Sequence, residues 1–388
     1  MLDFGLKIPD WIFFGESAIE KLKKVIGGFG RKALIVTGKS SAVKSGALDD
    51  IIPILKEKNI NFRIYDEIMS NPINTVVDNG ALVSKDFGTN FIIAIGGGSV
   101  MDSAKGIAVV HSNGGKIWDY IRDGKKRLKR IKRALPLIAV PTLAASGSEA
   151  DGGAVITNED TKEKIAFGST HTIPKIAVLK PEYTFTVSPE YTAYGVADII
   201  SHLTEPFLGT RENNSEISDE IIASLIRILI KTLPKVLDNP KDYEKRAEIM
   251  IASTLALSGI PSIGTKGTFV MHYLEHPISG HLNIPHGKGL SALFPPYFKT
   301  MLEINRERTE KYFELIFNTS AEKGISEFKK WMQENLLPEK LNKDGVSKAN
   351  IKIFADDCIR LHGNESGYLG EFEELTKERI KKIFEKLI

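Results

Sequence analysis

The chain has 388 residues, 42% hydrophobic and 26% charged, with a formal net charge of +3 and a single cysteine, Cys358. That length suits two domains better than one hydrophobic core, and the balance of residue types excludes a disordered or collagen-like chain. One cysteine forms no internal disulfide and builds no thiolate cluster, so any metal must be held by histidine and carboxylate.

The opening stretch, MLDFGLKIPDWIFFGE, lacks the basic region, apolar stretch and small-residue cleavage site of a secretory signal. No apolar run approaches the roughly 20 residues that span a bilayer. A cytoplasmic protein without a membrane partner is the expectation. Residues 33–37 then read as a strand, 42–56 as a helix, 61–65 as a strand, 75–85 as a helix, 91–95 as a strand and 99–111 as a helix. This alternation predicts βαβ units and a mainly parallel sheet. FIIAI and LPLIAV are apolar without interruption, as in strands covered on both faces. A doubly wound α/β domain of nucleotide-binding type follows.

Three loops at strand ends stand out. Thr37, Gly38, Lys39, Ser40 and Ser41 follow the first strand. Gly96, Gly97, Gly98 and Ser99 follow FIIAI and open a helix-like segment containing Asp102. Glycines there let the backbone approach a ligand, and the free N–H groups of a helix start face it, as a pyrophosphate cradle requires. Thr142, Leu143 and Ser146 lie in the stretch that follows LPLIAV. Loops at the carboxyl ends of strands are where open α/β sheets place ligands, so the three are expected to line one crevice. Neither GxGxxG nor GxxxxGK[ST] occurs. The basic run at residues 125–133 (KKRLKRIKR) has no interleaved aromatics and reads as a solvated face, so no nucleic-acid partner is expected.

Residues 154–189 hold two short β-rich stretches and read as the end of the first domain and its hinge. Beyond them the apolar spacing turns helical, for example over 216–232 and 243–257. The division expected is an α/β domain at 1–188 and a helical domain at 189–388. Five of the eight histidines fall between His202 and His286. Asp198 and His202 stand four apart in a helix-like segment, which puts both on one face. His272 and His276 repeat that spacing. Pro277, Gly280 and Pro285 are expected to interrupt the helix, leaving His281 in a loop and turning His286 back beside His272. Three imidazoles and one carboxylate from Asp198, His202, His272 and His286 suit Fe(II) or Zn(II) and suit Ca or Mg badly.

Taken together, GGGSVMDSAK, PTLAASGSE, GVADIISH and HYLEHPISGHLNIPHG resemble the iron-containing (group III) alcohol dehydrogenase family over nearly the whole chain, with similarity greatest to its NADPH-dependent butanol dehydrogenase and aldehyde reductase branch. The resemblance implies a Rossmann-like doubly wound parallel sheet followed by an all-helical metal-binding domain, the architecture shared with dehydroquinate synthase, with an active site in the cleft between them. It implies that Asp198, His202, His272 and His286 are the metal ligands. Gly96 to Ser99, Asp102 and Thr142 are implied as dinucleotide contacts; Leu143, Ser146, Lys164 and Tyr183 are placed with them, and Lys164 and His276 at the nicotinamide end. His276 is the residue singled out to relay a proton.

The implied reaction is hydride transfer between NADP(H) and a small primary alcohol or aldehyde, by a homodimer. Glycerol dehydrogenase and dehydroquinate synthase are the alternatives of similar fold. Where many NAD-linked members carry an Asp that bonds the adenosine ribose, this chain has Gly38 followed by Lys39, Ser40 and Ser41. A carboxylate repels a 2′-phosphate and this loop does not, so NADP(H) is expected over NAD(H). Two other departures are Lys180, where the family usually has Asp before Pro, and Ser146 in place of the usual Thr.

Overall fold

In a computed structural model the described residues are 2–121, 128–211, 215–265 and 267–388, so part of the basic run at 125–133 lies outside them. Within the described part of that run, Lys129 pairs with Asp119 at 2.7 Å and Arg133 Nε donates to the Ser112 carbonyl. The chain forms two compact units. One comprises Lys7–Val187 and Lys241–Thr254, the other Ser188–Pro240 and Leu255–Ile388 with the first residues through Leu6.

The first unit is built on strands β1 (Trp11–Phe14), β2 (Lys32–Gly38), β3 (Asn61–Ile68), β4 (Phe91–Gly96), β5 (Leu137–Pro141), β6 (Gly153–Thr157), β7 (Lys164–Gly168) and β8 (Ile176–Leu179). Six of them form one sheet in the order β1-β8-β5-β4-β2-β3, and every neighbouring pair runs parallel. β4 and β5 are buried at every residue, so neither face meets water, and their apolar sequences reflect that. The β-rich stretches expected within 154–189 make the antiparallel ribbon β6–β7, after which the chain returns to the sheet as β8. The single helix expected at 42–56 is two helices, Ser41–Lys44 and Ala47–Glu57, broken at Gly46, whose φ of +79° an L side chain rarely adopts. Gly98–Asn113 is the helix after the glycine loop.

From β2 the chain moves to β3 on one side, then crosses back to β4 on the other. The order reverses between β2 and β4, and open α/β sheets bind ligands outside the carboxyl ends of such a pair.

The second unit is helical. Pro189–Leu208 starts at a Ser188 cap, whose hydroxyl accepts the Tyr191 N–H, with proline at its first position. This helix packs on Glu216–Asp238 and His286–Ile304, and His286–Ile304 packs in turn on Val270–Leu282. Rings of Phe294, Phe298, Tyr312, Phe313 and Phe328 fill the core with edge and tilted contacts. A buried bidentate pair, Arg308 to Asp219 with both bonds at 2.7 Å, ties helix Arg306–Phe317 to helix Glu216–Asp238.

Candidate metal centre and cofactor loops

Asp198, His202 and Glu205 stand at i, i+4 and i+7 on helix Pro189–Leu208 and share one buried stripe. His272, Glu275 and His276 come from helix Val270–Leu282, and His286 is the first residue of the next helix. Asp198 Oδ1 lies 3.6 Å from His202 Nδ1, 3.6 Å from His272 Nε2 and 3.9 Å from His286 Nε2. Four ligands placed about 2.1 Å from a tetrahedral ion stand about 3.4 Å from one another. The three separations from Asp198 Oδ1 are slightly wider than that and too long for hydrogen bonds. Asp198 Oδ1, His202 Nδ1 and His272 Nε2 are buried with no hydrogen-bond partner, which is costly for polar atoms unless a cation faces them. This donor set fits a borderline divalent metal such as iron or zinc.

Two further carboxylates, Glu205 and Glu275, are fully buried behind the histidines. Glu205 Oε1 lies 2.5 Å from His272 Nδ1, and its Oε2 accepts the Met271 N–H at 2.7 Å. Glu275 bonds His286 Nδ1 and accepts the Ser279 hydroxyl at 3.1 Å. Protonation follows this layout. Burial pushes His202 down to about 3, so it stays neutral and able to ligate. Burial also acts on His272, but the Glu205 and Asp198 carboxylates outweigh it and hold the ring up at about 10. Burial raises Asp198, yet the His202, His272 and His286 imidazoles hold it well below the usual carboxylate range. A ligating imidazole must present a lone pair, so a divalent ion held here would displace to solvent the extra proton that these carboxylates hold on His272.

The expected break at Pro277 does not occur. Helix Val270–Leu282 runs through Pro277 and Gly280 and ends at Asn283, whose φ is +52°. Proline lacks the N–H that would bond Tyr273, and the freed Tyr273 carbonyl accepts the Cys358 thiol instead, at 3.2 Å. His281 is therefore helical rather than in a loop, and its Nε2 pairs with Asp357 at 2.8 Å. Asn283, in the left-handed region, makes the reversal that brings His286 beside His272, their ring centroids 5.1 Å apart. His276 is 3% exposed, with its ring 6.2 Å from His272, 5.9 Å from His286 and 5.6 Å from His362.

In the α/β unit, the three loops follow three adjacent strands, β2, β4 and β5. The Thr142 N–H donates to the Gly96 carbonyl at 3.0 Å. A Cβ on Gly98 would stand 2.6 Å from Ser146 Oγ, and one on Gly97 would touch Leu143 at 3.6 Å, so the glycine turn lies directly against the Thr142–Ser146 loop. Asp102 is half-buried beneath them, its oxygens accepting the Ser148 hydroxyl and the Val155 N–H, and loss of solvent around it pushes its carboxyl up to about 6. Lys105, missed in the sequence, is 1% exposed and donates to Ser148 Oγ, Asp151 and the Gly153 carbonyl.

Gly38 ends β2, and Lys39 beyond it pairs with Glu67 at 2.7 Å. Ser40 and Ser41 begin the short helix after that loop, and Ser99 sits in the first turn of the glycine helix. Lys164, at the start of β7, is buried and donates to Asn71 at 3.0 Å. The Tyr183 side chain is not brought to the loops. Its ring lies in the core, its hydroxyl donates to Asp50 at 2.7 Å, and Lys180 reaches the same carboxylate, giving that unusual lysine a partner.

Two family models match the chain: iron-containing alcohol dehydrogenase over residues 9–181, and the C-terminal region of the Fe-containing alcohol dehydrogenase family over residues 192–388. The chain is 34% identical to NADH-dependent butanol dehydrogenase B of Clostridium acetobutylicum, covering 100% of each protein. It is 30% identical to the NADPH-dependent aldehyde reductase YqhD of Escherichia coli, covering 99% of each. The crystal structure of NADH-dependent butanol dehydrogenase A from Thermotoga maritima superposes with a TM-score of 0.93 at 32% identity, covering 100% of this chain and 99% of that one.

Proposed function

The chain belongs to the iron-containing alcohol dehydrogenase family and is an NAD(P)-dependent oxidoreductase, and we propose that it interconverts small primary alcohols and aldehydes with NADP(H), using a metal held by Asp198, His202, His272 and His286. The observation that carries this reading is that Asp198 Oδ1 lies 3.6–3.9 Å from a ring nitrogen of each of the three histidines, with three buried atoms of the set unpartnered. Iron or zinc bound there supplies Lewis-acid polarisation of the alcohol or aldehyde oxygen, and the nicotinamide supplies the hydride partner. Asp198 contributes the one anionic donor and His202, kept neutral by burial, a lone pair. His276 stands against the ligand rings without being needed among them, where an imidazole moves a proton to or from the substrate oxygen.

NADP(H) is favoured because no carboxylate lies within Gly38–Ser41, and Lys39, Ser40 and Ser41 offer donors to a 2′-phosphate. The competing influence is Glu67, which already engages Lys39, and both cofactors occur among the relatives' names. A butanal-sized substrate is the reading the butanol dehydrogenase relatives support. A cytoplasmic homodimer completes the proposal. Among the described residues no helix is long and apolar enough to cross a membrane. The edge strand β1 exposes Trp11 at 60% and Ile12 at 39%, an apolar edge of the kind proteins usually cover.

The test is NADPH and NADH oxidation with butanal, by metal-stripped protein and by the same protein after anaerobic addition of Fe(II) or Zn(II). Metal-restored activity preferring NADPH supports the whole reading. Activity with NADH alone keeps the reaction and removes the Gly38 argument, and silence with both cofactors removes the substrate class.

A further inference from the structure

We propose that Glu205 and Glu275 are positioning residues for the metal: each fixes the tautomer and orientation of one ligand histidine, His272 and His286 respectively. This inference rests on the ligand set proposed above. Both carboxylates are fully buried, on the stretches SHLTEPFL and HYLEHPIS, where no Lys or Arg accompanies them. A carboxylate is rarely so buried without a partner that justifies it. In both cases the partner is a histidine whose other ring nitrogen points at Asp198: His272 Nε2 at 3.6 Å and His286 Nε2 at 3.9 Å.

The consequence for each ring is chemical. An ionised carboxylate only accepts, so the Nδ1 facing it carries the proton and the Nε2 lone pair is left for the ion. Carboxylate–histidine–metal arrangements of this kind also raise ligand basicity and hold the ring against rotation. Glu205 does more than touch the ring. Its second oxygen accepts the N–H groups of Met271 and His272, at 2.7 and 3.4 Å, so it registers the His272 ring against the start of its own helix. Glu275 links two helices, gripping the first residue of His286–Ile304 from within Val270–Leu282. Gly289 makes room for this: a Cβ there would stand 2.7 Å from Glu275 Oε1 and 2.8 Å from its Cγ. His202 is arranged differently, presenting Nδ1 to Asp198.

Glutamine in place of either glutamate keeps the shape and reverses the logic. Its amide NH2, when turned to Nδ1, makes that nitrogen an acceptor and moves the ring proton to Nε2, where it blocks ligation. For Glu205→Gln, turning the amide the other way sets its donors against the Met271 N–H. The experiment measures Zn(II) and Co(II) affinity of the full-length protein by competition with a chromophoric chelator, together with the Co(II) absorption bands. NADPH binding by the metal-stripped protein serves as the control for folding. Glu205→Gln and Glu275→Gln are each expected to lose about 10- to 100-fold in metal affinity and to shift the Co(II) bands, with NADPH binding unchanged. Gly289→Ala, which displaces Glu275 and leaves every ligand in place, is expected to reproduce the Glu275→Gln result if that variant folds poorly. Wild-type affinity and an unmoved Co(II) spectrum in the glutamine variants overturn the proposal. If Asp198→Asn also leaves affinity unchanged, the ligand assignment fails instead.

Discussion

Lys105→Met removes the one cation in a buried polar group beneath the glycine turn. Lys105 is 1% exposed and donates to Ser148 Oγ at 2.8 Å, Asp151 Oδ1 at 2.9 Å and the Gly153 carbonyl at 2.6 Å. Methionine fills the space but leaves Asp151 without its cation and two acceptors without a donor. Removing one partner of a buried ion pair costs about 3–5 kcal/mol, a large part of a typical folding free energy of about 5–15 kcal/mol. The loss has a pH signature. Asp102 is already pushed up to about 6 by burial, against the pull of Lys105. A carboxyl raised above its unfolded value of about 3.9 contributes stability below that pH and loses it as pH rises through the folded value. Without Lys105 that window extends upward, so the variant's deficit grows between pH 4 and neutrality. The change also reaches the cofactor loops, because the Ser148 N–H donates to Ser146 Oγ, which lies against Gly98. Urea unfolding across pH, with NADPH KM and kcat at 25 °C, is the assay: KM is expected to rise more than kcat falls. Adding Asp151→Asn to the variant recovers at least about 1 kcal/mol, since the stranded charge is gone. A Lys105→Met protein that unfolds within about 0.5 kcal/mol of the parent at all pH values refutes the reasoning.

Three other outcomes are expected. Asp219→Asn breaks the buried pair with Arg308 and lowers stability by about 3–5 kcal/mol in urea melts. Burial raises the Asp219 carboxyl, but hydrogen bonds from Arg308 and Lys311 hold it below its ordinary value, so this contribution is present above about pH 4 and disappears as pH falls through the folded value. Gly38→Asp places a carboxylate in the loop proposed to hold the 2′-phosphate, at a cost of about 1 kcal/mol or more; NADPH KM should rise about fivefold while that for NADH does not, and equal effects on both would remove the loop from cofactor choice. His276→Ala should lower kcat by about 10²- to 10⁴-fold and flatten the pH–rate profile, with metal content by atomic absorption unchanged; an unaltered profile assigns His276 a packing role.

The alternating rhythm of the first half was legible because β2, β4 and β5 are buried along nearly their whole length and so read as unbroken apolar runs; β4 and its glycine turn lie where FIIAIGGG puts them. β1 was not, since WIFF is too short for a periodicity to separate it from its surroundings. The histidine cluster was legible from the i, i+4 spacings Asp198–His202 and His272–His276, each within one helix, with His286 opening a third. Glu205 and Glu275 escaped because an isolated glutamate in a helix ordinarily reads as solvated; the signal that marks them is their place at i+3 from His202 and His272. Pro277 misled for a specific reason: its cost to the helix is offset by a thiol 81 residues further along, Cys358, which no local pattern connects to Tyr273.

Whether a metal sits among Asp198, His202, His272 and His286 is decided by anomalous diffraction above and below the iron and zinc edges, on crystals grown after loading with each metal. One strong peak is expected, about 2.1 Å from a carboxylate oxygen of Asp198 and from one nitrogen of each of the three histidines. A peak elsewhere, or full metal-dependent activity in crystals with no peak between these four residues, contradicts it.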